Sequence, residues 1–84
     1  MSVKFADRLK AIMLLEDVQN QVEGPFLKQA LLELVDSLVS EKDLAAKALM
    51  QGIYQDYIFN DQGDCTLNFK QAKRINRAAE LCAL

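Results

Sequence analysis

Leu27, Leu31, Leu34, Val35 and Leu38 stand at offsets of 0, 4, 7, 8 and 11, and no other feature of the chain constrains its fold as strongly. The spacing puts five aliphatic side chains on one stripe of a helix running from about Pro25 to Val39 and assigns them to the core. The start of this helix is sharp. Gly24-Pro25 stops whatever precedes it, and Pro supplies a helical φ at a first position where its missing N–H costs nothing. Its end is less defined. Ser40-Glu41-Lys42-Asp43 interrupts the stripe with three charges, and Ser40 is expected to cap a following helix while Asp43 reaches back to the Ser40 amide. No Gly or Pro enforces a break there, so one continuous helix over residues 25–59 is the alternative.

Three further helical patterns flank this one. From about Val3 to Gln21, Phe5, Leu9 and Ile12 form an apolar stripe that Leu15, Val18 and Val22 continue with a slight rotation. From about Glu41 to Phe59, Ala46, Leu49, Met50, Ile53 and Tyr57 share one side, and Gly52 is expected to let a neighbouring helix approach closely. Asn60-Asp61-Gln62-Gly63-Asp64 is a turn by composition. The last helix starts with Asn68 as cap and Gln71 three residues on, and presents Phe69, Ala72, Ile75, Ala79 and Cys82 inward. Four helices with short connections predict an all-α fold, a compact bundle or two paired hairpins forming a single domain over residues 1–84.

Composition agrees with that class. Hydrophobic residues make up 51% of the 84 and charged residues 26%, a globular balance rather than a disordered one. A chain of this size buries only about 60–65% of the surface it exposes when unfolded, so the core is thin. The longest uncharged apolar run is Ala11 to Leu15, far short of the roughly 18 residues a membrane span requires. Asp7, Arg8 and Lys10 break up what would have to be a signal peptide, so a cytoplasmic location is expected, with Cys65 and Cys82 as reduced thiols.

Catalytic constellations are not found. There is no His, and two distant Cys assemble neither a zinc site nor a Cys/His nucleophile pair. The carboxylates of Glu16, Asp17, Glu41 and Asp43 come with no second functional group that would make an acid/base pair, and Gly24, Gly52 and Gly63 form no phosphate cradle. The expectation is a protein without enzymatic activity, metal or cofactor.

Residues 59–71, Phe59-Asn60-Asp61-Gln62-Gly63-Asp64-Cys65-Thr66-Leu67-Asn68-Phe69-Lys70-Gln71, carry Gly63-Asp64, an apolar residue at Leu67 and an aromatic at Phe69 between two helical patterns. The segment resembles an EF-hand loop that has lost its calcium ligands. Asn60 and Gln62 stand where ligand carboxylates are expected, Cys65 where the sharp turn wants Gly, and Gln71 where the bidentate Glu belongs, leaving Asp64 as the one anionic ligand position. The resemblance implies a helix-loop-helix that binds helical targets without calcium.

Two groups of residues suggest interaction surfaces. Lys70, Lys73, Arg74 and Arg77 fall at offsets 0, 3, 4 and 7 and so share one face of the last helix. Residues 65–84 hold four Lys/Arg against one Asp/Glu, +3 in all, whereas residues 1–64 hold six against eleven, or −5. Tyr54, Tyr57, Ile58 and Phe59 gather four large side chains in six positions, more than one helical face of a small monomer can bury. These features point to a small adaptor, chaperone-like or inhibitory protein that binds a protein partner through a helical surface. A homodimer built mainly on the third helix, with Gly52 at the contact, is expected to hide the aromatic excess. The alternative is a nucleic-acid-binding regulator that uses the basic last helix.

Overall fold

The computed structural model describes residues 3–58 and 67–84. Among them are four α-helices and no strand: α1 (Phe5–Gln21), α2 (Pro25–Val39), α3 (Asp43–Ile53) and α4 (Phe69–Leu81), with α3 widening into a π-helical turn over Tyr54–Ile58. The packing order is α4–α1–α2–α3: α1 packs on both α4 and α2, and α2 on both α1 and α3.

α2 forms where its periodicity puts it. Pro25 occupies the first turn, and Leu27, Leu31, Leu34, Val35 and Leu38 are all buried. They meet Ala11, Leu15, Val18 and Val22 from the first helix and the segment that leaves it, together with Ala46, Met50 and Ile53 of α3.

The chain breaks after α2 by a device different from the one expected. Ser40 does not cap α3; it closes α2, its N–H donating to the Asp36 carbonyl at 3.0 Å. Glu41 then takes a left-handed backbone, φ 56°. Its N–H donates to Leu38 O at 3.2 Å, and the Lys42 N–H donates to Ser37 O at 2.8 Å. This pair of reversed bonds is a Schellman motif, built here without glycine at the left-handed position. It ends α2, so residues 25–59 are not one helix. The N-cap of α3 is Lys42, with no side-chain capping bond.

Asp43, the residue expected to complete that cap, instead pairs with Arg8. The Arg8 guanidinium is buried and forked, Nη1 donating to Asp43 Oδ1 at 2.8 Å and Nη2 to Oδ2 at 3.3 Å, while Nη1 also donates to Leu38 O at 3.2 Å. One cation thereby covers a terminal carbonyl of α2 and holds the carboxylate in the first turn of α3, the charge placement that both helix dipoles favour.

This interaction also corrects the expected inner face of α1. With Arg8 turned inward, the buried stripe is Arg8, Ala11, Leu15 and Val18, and the assumed leaders of the stripe face outward, Phe5 at 79% exposure and Leu9 at 47%. α4 departs in the same way. Asn68 and Gln71 form the expected reciprocal cap, the Gln71 N–H donating to Asn68 Oδ1 at 2.8 Å and the Asn68 N–H to Gln71 Oε1 at 3.1 Å. That reciprocity draws Gln71 inward and turns Phe69 out, 80% exposed, while Ile75, Ala78, Ala79 and Cys82 are buried. A second Schellman motif closes α4 at Ala83, φ 54°, with the Leu84 N–H on Ala79 O at 2.9 Å and the Ala83 N–H on Glu80 O at 3.2 Å. Among the described residues Gly52 is not at a close helix approach: a Cβ added there would meet nothing within 4 Å.

Candidate functional site

α4 buries few large side chains. Ala78 and Ala79 let its backbone sit close on α1, and the long residues on either side of that contact overhang the seam between the two helices. The Gln21 side chain, at the end of α1, accepts from Gln71 Nε2 at 3.5 Å and from Arg74 Nη1 at 3.4 Å, which sets the start of α4 beside the end of α1. The helices therefore run antiparallel.

A shallow groove follows the seam. At one end Met13, Leu14 and Leu81 form an apolar floor between Lys10 and Asp17 of α1 and Arg77 of α4. At the other, Leu14 lies under Lys70, Lys73, Arg74 and Arg77. All four residues of the basic stripe expected from the sequence thus line one depression, and Leu14 and Arg77 belong to both of its ends. Lys10, Met13, Leu14, Asp17 and Leu81 are the lining residues that sequence reasoning missed. The available signal was that Met13 and Leu14 stand beside, not on, the α1 core stripe.

Five cations and one carboxylate give the groove lining a formal charge of +4, in a chain whose net charge is −2. The remainder of the chain therefore carries −6. Local compensation of the cations is slight. Arg74 is oriented by the neutral amide of Gln21, Arg77 Nη1 meets Glu80 Oε2 at 3.3 Å in an exposed pair, and Lys73 Nζ lies 6.0 Å from the Phe69 ring centroid. Exposed pairs of this kind hold little energy and leave the cations open to another anion.

The aromatic group lies elsewhere. Tyr54, Tyr57 and Ile58 are half-buried and packed against the core. The Tyr54 hydroxyl donates to Asn76 Oδ1 of α4, and burial, with the Glu80 charge adding to it, pushes its pKa upward. Tyr57 borders a shallow depression with Ala30, Ala48, Leu49 and Gly52. Phe59 lies outside the described residues, as does the EF-hand-like segment up to residue 66. The large apolar side chains exposed among the described residues are instead Phe5, Leu9, Met13, Phe26, Leu32, Val39, Leu44 and Phe69.

Asp43 and Cys82 are perturbed as well. Hydrogen bonds from Arg8 hold the Asp43 carboxyl below the usual range for Asp. Burial pushes the Cys82 thiol up, which keeps it protonated and a poor nucleophile at neutral pH. Among the described residues no three His, Cys, Asp or Glu side chains are grouped to hold a metal ion, and no helix is long and apolar enough to cross a membrane. No protein-family model, curated protein or solved structure matches this chain.

Proposed function

We propose that this protein is a non-enzymatic interaction module whose α1–α4 groove binds a segment of a partner protein. One observation carries the reading: Leu14 lies beside four basic residues of α4 and is continuous, past Arg77, with the apolar lining of Met13 and Leu81. A floor of Met and Leu offers no ring for a base to stack on and no donor or acceptor to read one, whereas it suits the aliphatic side chains of a protein ridge. An adaptor, chaperone-like or inhibitory role follows from binding without chemistry.

A nucleic-acid reading has one observation in its favour. Phe69 is an exposed ring beside Lys73 in the first turns of α4, and aromatic rings among cations bind single strands.

A photo-crosslinking residue placed at Met13 in the full chain separates the two. A protein adduct from host extract that disappears in the Lys73→Glu/Arg77→Glu variant is the expected result. Adducts that nuclease removes, or a protein adduct indifferent to the charge reversal, would overturn the proposal.

A further inference from the structure

The groove has a length, a floor and a charge, and together they specify an occupant. The lining of α4 extends from Lys70 to Leu81, about 16 Å at 1.5 Å per residue, or three helical turns. Its apolar lining consists of Met13, Leu14 and Leu81 along the seam, so it accepts one ridge of side chains rather than a broad face. The lining charge is +4, and among the described residues Glu80 alone forms an ion pair with one of these cations. Resting on the proposal of a protein-binding groove, we infer that its occupant is an acidic amphipathic helix of about eleven residues in a partner protein. Aliphatic side chains at i, i+4 and i+7 of that helix lie on Met13, Leu14 and Leu81, and Glu or Asp residues on both flanks face Lys73 and Arg77 of α4 and Lys10 of α1.

Desolvation decides which contacts matter. The aliphatic ridge displaces water from an apolar floor and supplies most of the affinity. The rim pairs remain wet, each contributing about 0.2–1 kcal/mol, and they act mainly on selectivity and association rate. A neutral helix with the same ridge should therefore bind, but less tightly, and a basic one should be rejected by like charge.

Three synthetic peptides test this against the full-length chain: a stapled helix with Leu at i, i+4 and i+7 flanked by Glu, its Glu→Gln analogue and its Glu→Lys analogue. Binding is followed by fluorescence anisotropy and mapped by amide chemical shifts. The acidic peptide should bind about tenfold more tightly than the Gln form, as two or three rim pairs would give. The Lys form should not bind, and shifts should concentrate at Met13, Leu14, Arg77 and Leu81. In the Lys73→Glu/Arg77→Glu variant, whose groove lining falls from +4 to 0, the preference for the acidic peptide should be lost. Since both residues are exposed, a circular dichroism spectrum matching that of the parent checks that the fold is kept.

Equal binding of the three peptides, or shifts away from the seam, would overturn the inference. So would tighter binding of anionic phosphatidylserine vesicles or of oligo-dT. Mass growth with concentration that the same double variant abolishes would overturn it in another way. The outer face of α2, with Leu32 and Val39 exposed beside Glu33 and Asp36, would then be the occupant, supplied by a second copy. The two levels of the argument fail separately. A protein crosslinked at Met13 with no preference for the acidic peptide removes the occupant's chemistry and leaves the groove; no protein crosslink removes both.

Discussion

α2 and α4 are helices of similar length, 15 and 13 residues, and both are amphipathic, yet they spend their side chains differently. α2 buries five large aliphatic residues in the middle of the bundle. α4 buries one, Ile75, with Ala78, Ala79 and Gln71 filling the rest of its inner face. Aliphatic bulk gives α2 its hold on both neighbours. Small residues give α4 proximity to α1, and proximity brings its long cations over the seam. A helix that packed on α1 through leucines would stand further off and open the groove. The comparison thus assigns stability mainly to one helix and surface chemistry mainly to the other, and substitutions can test that division.

The largest effect is expected at the centre of α2. Leu34 is fully buried, so Leu34→Ala should lower stability by about 2–5 kcal/mol, read as a fall in the urea midpoint at constant slope. A loss below about 1 kcal/mol would show that α2 is not the helix on which the bundle depends.

The matching change in α4 adds bulk rather than removing it. Ala78 is equally buried, and Ala78→Leu should cost about 1–3 kcal/mol by forcing α4 off α1. It should also weaken peptide binding at the groove. If peptide affinity survives while stability falls, the groove does not need the close approach that the alanines permit.

A smaller effect, of opposite sign, is expected where α2 ends. Glu41 holds a left-handed backbone that glycine adopts without steric cost, so Glu41→Gly should stabilise by about 0.5–1 kcal/mol, the relief being partly offset by the greater freedom of glycine in the unfolded chain. Thermal unfolding of the two proteins side by side measures it.

The smallest effect is the pH dependence of the Arg8–Asp43 pair, whose carboxylate side chain is 46% exposed and therefore partly screened by water. The folded-state pKa of Asp43 lies below its ordinary value, so its contribution is present at neutral pH and is lost as pH falls from about 4 through the depressed value. The stability gap between the parent and Asp43→Asn should accordingly be constant above about pH 5 and close toward lower pH. A gap that widened on acidification would contradict the pairing.

How far the sequence could be read follows from the range of the interactions involved. The α2 stripe, the break at Gly24-Pro25 and the Asn68–Gln71 cap were all legible, because each depends on residues within a few positions of one another. The basic face of α4 was legible for the same reason, as a face. Its role as one wall of a groove was not, since the other wall belongs to α1 and the floor is shared between the two helices. Neither Schellman motif announced itself, because Glu41 and Ala83 stand where glycine is the usual signal.

The inner face of α1 marks the boundary most clearly. By itself the sequence determined that a helix would run from about Val3 to Gln21 and would carry apolar residues on more than one side. It could not determine which side went in, since Phe5 and Leu9 offer more apolar area than Ala11 and a charged Arg8. Tertiary structure decided it. Arg8 finds a carbonyl 30 residues away at Leu38 and a carboxylate 35 residues away at Asp43. A buried guanidinium is tolerable only where such partners are already in place, and helical periodicity holds no information about partners at that separation.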